Sequence, residues 1–461
     1  MRQVVVRTRL GELRGEEDNG ITRFLGIPYA AAPVGPLRFQ APAKVPVWHG
    51  VRNALEYGPT PAGAGAGSPH LAIVTDPNIP GDECLNLNVW TADVHGNRPV
   101  LVWIPGGANI TGSSAQPVFD GMAFARDGVV LVSINYRLGV EGFAYLPDAP
   151  ANRATLDQIA ALEWVRDNIA AFGGDPDQVT VAGSSAGAGA VMTLLSRRTG
   201  LFHRAVLQSG LLKAALAPED ATLVSKEIAR RAGVVPTAEG FSSVAPEMFA
   251  TLAHDINTEV STNPDPALWG TTTVAAAMPF LPVAEGKSPW DAVRAGASDG
   301  IRLLAGFTSG ELLRLIQGMV PPGTDLAGLG VDADTASRYT ASYPRASTVE
   351  LFAAILGDPM FRLPVYELAE SRVDRTFVYE FGWPSPLPGV GAAHALEVGF
   401  VFDTLGDGTL EGDAPPQKLA DRMHAAWVEF ATTGDPGWPA FTEENRQTML
   451  FDEESKVVPA R

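Results

Sequence analysis

Cysteine is almost absent: Cys84 is the one example in 461 residues. An intrachain disulfide needs two, so nothing calls for an oxidising compartment, and cytoplasmic residence is the expectation. Positive charge is also scarce, with 34 lysines and arginines against 52 aspartates and glutamates and a formal net charge of -18. Such a surface repels phosphate backbones and anionic lipid, which argues against nucleic acid or membrane as a partner. Long apolar runs are missing. The opening Met1-Arg2-Gln3-Val4-Val5-Val6-Arg7 lacks a signal-peptide core, and no stretch stays apolar for the roughly 20 residues of a membrane helix. No unit of about 20 to 50 residues repeats, which removes solenoids and propellers.

What is present suits a globular protein. Hydrophobic residues at 46% and charged residues at 19% can bury a large core without metals or disulfides to staple it. Short β-like runs at Val4 to Arg7, Glu12 to Arg14 and Thr22 to Leu25, separated by glycines, predict an antiparallel meander at a sheet edge. Runs rich in Val, Ile or Leu follow at Val100 to Ile104, Val129 to Ile134, Val179 to Ala182, Ala205 to Gln208, Ile301 to Ala305 and Thr376 to Phe381. Unbroken apolar runs of this length are what a parallel sheet covered on both faces requires. Helical spacing over Leu156 to Phe172 predicts a helix stopped by Gly173-Gly174-Asp175-Pro176, and Leu419, Met423, Trp427 and Phe430 line one face of another. The alternation predicts an α/β fold, a mostly parallel central sheet with helices on both faces, as one domain over residues 1–461 with a helical insertion or cap at about 214–299. The glycine-rich run Pro61 to Gly67 has no strand leading into it and is read as a surface loop, not a phosphate cradle.

Gly183-Ser184-Ser185-Ala186-Gly187 fits Gly-x-Ser-x-Gly and lies between a predicted strand and a predicted helix. That setting matters more than the pattern, because a nucleophile elbow needs small residues where strand and helix backbones pass closely. A serine hydroxyl is a weak nucleophile until a base takes its proton, and on such a fold the acid and then the histidine follow the serine in the chain. His49, His70 and His95 precede the elbow, His203 comes too soon after it, His254 falls in the insertion, and His424 sits on the last amphipathic helix. His394, in a glycine-rich loop after the last strong strand, is the candidate base. For the acid, spacing leaves two candidates: Glu311, just beyond the strand ending at Ala305, and Glu397, three residues after His394.

Further segments carry a resemblance: Phe24-Leu25-Gly26-Ile27-Pro28-Tyr29-Ala30, Pro33 to Phe39, Cys84-Leu85-Asn86-Leu87-Asn88-Val89-Trp90, Asn135-Tyr136-Arg137-Leu138-Gly139, Phe172 to Pro176, Leu207-Gln208-Ser209-Gly210 and Thr433 to Pro436. In this order, over nearly the whole length, they resemble the type-B carboxylesterases, in particular bacterial esterases similar to p-nitrobenzyl esterase. The resemblance implies an α/β-hydrolase fold, an acyl-enzyme on Ser185, Glu311 as acid, His394 as base, and an oxyanion hole from the N–H groups of Gly107, Ala108 and Ala186. It also exposes departures: Pro105 where the family has histidine, Asn109 where it has a bulky aromatic, and Ser184 and Gly310 where it has acidic residues. A smaller, amide-bearing Asn109 predicts a wider and partly polar substrate pocket.

The expected partner is a small-molecule ester. The oligomeric state is open, a monomer being compatible with every pattern. No metal-ligand spacing or phosphate loop occurs, so no cofactor and no metal are expected. Cys84 reads as a buried apolar residue, and Arg137, Asp175 and Glu285 as fold-maintaining polar groups. Two alternatives stand beside ester hydrolysis. One is a catalytically silent binding protein, since relatives have kept such a fold for adhesion; the other is cleavage of carbamates or amides by the same machinery.

Overall fold

The computed structural model describes residues 2–63, 65, 75–406 and 410–460. Part of the 61–67 segment therefore lies outside the described residues. Among these residues thirteen strands form one sheet. They are β1 (Arg2–Arg7), β2 (Glu12–Asp18), β3 (Ile21–Pro28), β4 (Val51–Asn53), β5 (Asn86–Thr91), β6 (Arg98–Ile104), β7 (Val130–Ile134), β8 (Gly174–Ser184), β9 (Arg204–Gln208), β10 (Arg302–Thr308), β11 (Thr376–Phe381), β12 (Gln447–Phe451) and β13 (Lys456–Pro459). Their spatial order is β1-β2-β3-β5-β7-β6-β8-β9-β10-β11-β12-β13, with β4 beside β2. From β7 through β12 every neighbouring pair is parallel, while β1, β2, β3 and β5 join antiparallel at one edge and β13 closes the other antiparallel.

Alternate residues of the central strands feed two cores. Val100, Val102 and Ile104 of β6 join Val130, Val132 and Ile134 of β7 on one face, whereas Leu101, Trp103 and Leu131 enter the other. The period of two explains this, and burial of both faces explains why these strands read as unbroken apolar runs. Helices Arg153–Asn168 and Ala186–Arg197 cover the first face; Gln417–Thr433 covers the second through Leu419, Met423, Trp427 and Phe430. The 214–299 stretch is helical, with Pro218–Ala232 and Pro246–Thr262 its longest members, and their Val224, Ile228, Phe249 and Ile256 join the first core.

The structure departs from the sequence reading at several element boundaries and in one group of helices. The helix expected from Leu156 starts at Arg153 and tightens into a 3₁₀ turn, Ile169–Phe172, before Gly173 takes φ 78° as its left-handed cap. β8 begins at Gly174, five residues ahead of the apolar run. A second group of helices, Leu313–Ile316, Ala333–Ser342, Thr348–Gly357 and Leu363–Glu370, lies between β10 and β11. No helix among the described residues is long and apolar enough to cross a membrane.

Candidate active site

The carboxyl ends of β6, β8, β9 and β10 meet at one edge of the sheet, where open α/β folds place their ligands. Ser185 connects β8 to the helix Ala186–Arg197 at φ 58° and ψ −123°, a conformation that costs a non-glycine residue about 1–3 kcal/mol. Its N–H donates to Gln208 O at 2.8 Å. The flanking glycines explain how so sharp a turn fits. A Cβ on Gly183 would stand 2.6 Å from the Gly187 carbonyl carbon, one on Gly187 would stand 2.1 Å from Ile104 O, and one on Gly106 would stand 2.6 Å from Ser184 O. Any side chain at these positions pushes strand, helix and loop apart. Ser184 itself is buried, and its Oγ has no hydrogen-bond partner.

After β6 the chain makes a second strained turn. Gly107, Ala108 and Asn109 have φ of 121°, 52° and 60°. Ile110 and Thr111 N–H both donate to Gly107 O at 3.0 Å, Gly139 N–H donates to Asn109 O at 2.6 Å, and Tyr136 Oη donates to Pro105 O at 2.8 Å. The N–H groups of Gly107, Ala108 and Ala186 have no acceptor among the described residues. Unpaired donors at a turn and at a helix N-terminus suit a developing negative charge. Beside Ala186 lies a small cavity of about 20 Å³, whose lining includes Asn109, Thr155, Gln158, Phe143, Met278 and Leu281. Asn109 Nδ2 donates to Phe280 O at 2.9 Å, so its amide nitrogen is engaged within the protein. Thr155 and Gln158 join Asn109 in that lining, so part of it is polar, as the amide at this position led one to expect.

Two loops carry Glu311 and His394. Glu311 follows β10, and Thr308 N–H donates to its Oε1 at 2.8 Å. Its Oε2 meets Nδ1 of His394, which stands 83 residues further on. Gly310 N–H donates to Ala392 O at 3.0 Å and stitches the loops together. A Cβ at Gly310 would lie 2.9 Å from that same oxygen, so this packing leaves no room for a longer residue. Phe361 packs on the imidazole with ring centroids 5.2 Å apart. Glu397, the other carboxylate left open by spacing, does not hydrogen-bond His394: its Oε1 accepts from Gln208 Nε2 at 3.3 Å, and its Oε2 has no hydrogen-bond partner. Gln208 Oε1 accepts from Trp427 Nε1 at 2.8 Å, so one glutamine ties the elbow to the floor beneath the histidine. The family-like run Leu207 to Gly210 was its only trace in the sequence.

Burial alone would push the His394 imidazole down, but the Glu311 carboxylate, by charge and hydrogen bond, and then Glu397 outweigh it, and the net shift is upward from 6.5. Burial, followed by the nearby charge of Glu311, pushes the Glu397 carboxyl up to about 7. Cys84 is half-buried, and burial pushes its thiol up to about 12, far from a reactive thiolate. Arg137 forms a buried bidentate pair with Asp157 at 2.8 and 2.6 Å, and Asp175 accepts from Asn97, Asp177 and Gln178 in a turn. No group of three or more His, Cys, Asp or Glu among the described residues could hold a metal ion.

A strained serine between a parallel strand and a helix, at the carboxyl edge of this sheet, defines an α/β-hydrolase. The chain belongs to the carboxylesterase family, whose profile matches residues 2–460. It is 34% identical to the para-nitrobenzyl esterase of Bacillus subtilis (strain 168), over 99% of this chain and 96% of that one. It is also 34% identical to the phenmedipham hydrolase of Pseudarthrobacter oxydans, over 98% of this chain and 96% of the relative. A solved Geobacillus stearothermophilus carboxylesterase superposes with a TM-score of 0.84 at 34% identity, covering 98% of this chain and 97% of the other. The protein is a serine carboxylesterase, and its substrates are small-molecule esters.

Proposed function

We propose that Ser185, His394 and Glu311 form the catalytic triad. His394 Nε2 takes the Ser185 proton as Oγ attacks the ester carbonyl, then returns it to the departing alcohol; water repeats the sequence on the acyl-enzyme. Glu311 orients the ring and stabilises the imidazolium without accepting the proton. The oxyanion is held by the N–H groups of Gly107, Ala108 and Ala186. One observation carries this reading: Glu311, anchored by Thr308, occupies the Nδ1 side of His394, which leaves Nε2 as the basic nitrogen. A fluorophosphonate probe tests it. Wild type is expected to gain one adduct mass and lose activity in parallel, and Ser185→Ala to gain none. Turnover that survives full labelling would sink the assignment.

Short- to medium-chain or aryl esters are the substrate class that this reading favours. The names of the relatives make p-nitrobenzyl esters and phenmedipham the first compounds to try. This reading treats residues 1–461 as one catalytic domain, with 214–299 as an insertion sharing its core. The near absence of cysteine supports a cytoplasmic setting.

A further inference from the structure

The strained turn that carries Gly107 and Ala108 is tied down from two sides. On its inner side stand Tyr136, Gly139 and Phe280, already described. Its outer side continues into Thr111, Gly112 and Ser113, and all three meet one carboxylate, Asp76, which stands 35 to 37 residues earlier in the chain. Asp76 Oδ2 accepts from Thr111 Oγ1 at 2.9 Å, from Gly112 N–H at 2.9 Å and from Gly65 N–H at 2.8 Å; its Oδ1 accepts from Ser113 Oγ at 3.0 Å. An ionised carboxylate accepts about four hydrogen bonds, so this one is saturated. Charge assistance makes each of them roughly twice as strong as a neutral one. The next N–H along, that of Ser114, donates to Asn135 Oδ1 at 2.8 Å.

The held segment lies directly against the oxyanion turn. A Cβ on Gly107 would stand 2.2 Å from Thr111 O, and one on Gly112, at φ 93°, would stand 2.1 Å from Gly106 O. Backbones packed this closely move together, so a displacement of Thr111 or Gly112 reaches the Gly107 N–H. Ala108 and Asn109 would each relax from positive φ if an anchor were lost, because such strain persists only where the surroundings over-determine it.

We propose that Asp76 is a positioning residue for the oxyanion hole, holding the Gly107 and Ala108 N–H groups in register with Ser185 from a loop that supplies no reacting group. This rests on the reading that those N–H groups stabilise the oxyanion. It predicts that loss of Asp76 damages the transition state more than substrate binding, since a small misplacement of preorganised donors costs up to about a hundredfold in rate.

The test compares wild type, Asp76→Ala and Asp76→Glu with p-nitrophenyl butyrate and with an aryl trifluoromethyl ketone, whose hemiketal on Ser185 presents an oxyanion. Asp76→Ala is expected to lower kcat about tenfold to a hundredfold with KM changed by less than about threefold, and to weaken ketone binding by the same factor as kcat. Asp76→Glu should recover part of both. A loss confined to KM, or ketone affinity equal to wild type, would overturn the proposal. If Asp76→Ala fails to fold, the double variant Thr111→Val and Ser113→Ala removes two of the four donors with the carboxylate in place. It should lower kcat and ketone affinity together, by a smaller factor, and unchanged values would overturn the proposal. If wild type itself binds the ketone no better than Ser185→Ala does, the oxyanion reading fails, and the role of Asp76 fails with it.

Discussion

The two halves of the site are held by different physics. On the nucleophile side, Gly106, Gly183 and Gly187 let three backbones touch, and Ser185 has its shape because nothing else fits between them. On the base side, the buried Glu311 and Glu397 and the half-buried His394 are ionisable groups whose positions depend on charge and on single hydrogen bonds. Steric contact is insensitive to pH and intolerant of one added carbon. Electrostatic contact tolerates isosteric change in shape but responds to every proton. Substitutions on the first side should therefore act through stability or through the nucleophile itself, and those on the second through the pH profile.

The largest effect is expected from Ser185→Ala, with turnover falling by a factor on the order of a million while the melting temperature is retained. More than a few per cent residual turnover would remove Ser185 from the mechanism. Next comes Glu311→Gln, which keeps shape and removes charge. It should cost on the order of 10⁴ in kcat, as loss of the orienting acid does in a triad, and far more than Glu397→Gln; the reverse ranking would exchange their roles.

The pH profile sharpens the comparison. In the proposed triad His394 acts as base only when neutral, and its folded-state pKa is raised above 6.5, so activity should fall as pH drops, with a midpoint above that value. Both carboxylates raise it. Glu397→Gln should therefore move the acid limb to lower pH without abolishing turnover, whereas a neutral change on the steric side, such as Gly187→Ala, should leave the midpoint in place. Gly187→Ala gains helix propensity of about 1 kcal/mol, but its Cβ would meet Ile104 O at 2.1 Å. Net destabilisation of about 1–3 kcal/mol is expected from overpacking, read as a lowered denaturation midpoint. The smallest effect concerns the chain-length preference of Asn109→Gly, a variant that also loses the Phe280 tie and should therefore lower kcat for every ester alike. Glycine is at home at φ 60°, and its missing side chain enlarges the cavity beside Ala186. The octanoate-to-butyrate ratio of kcat/KM should rise by about tenfold, the lower end of what one methylene of contact is worth.

The same division governs what could be read in advance. Central strands announce themselves because burial on both faces demands unbroken apolar runs, and the elbow does so because steric contact demands glycine at fixed offsets. β5 is less visible. Asn86 and Asn88 look like loop residues, yet both are fully buried, and their amides are satisfied by Pro59 O, Glu83 O, Ser114 and Ser133, whose proximity only the fold creates. The choice between Glu311 and Glu397 was open for a similar reason: spacing places both near His394, and only the stitch from Gly310 to Ala392 determines which one reaches Nδ1. Asp76 left no signal, being one aspartate in a proline- and glycine-rich stretch. The helices between β10 and β11 escaped notice because their apolar periodicity is short, and a capping box at Ser347 and Glu350 starts the best formed of them.

The strand order also bears on how the protein is made. From β8 to β13 the sheet is laid down in the order of synthesis, each strand joining the edge left by the one before. A ribosome adding about 5–20 residues per second needs roughly 20–90 s for this chain. Through much of that time the growing edge offers unpaired N–H and C=O groups, an invitation to wrong partners. β12 is covered by β13, a four-residue antiparallel strand carrying Lys456 and ending in Pro459, both unsuited to further pairing. A chain lacking β13 would leave β12 as a bare edge on that side of the sheet, and should aggregate more readily than one that has it.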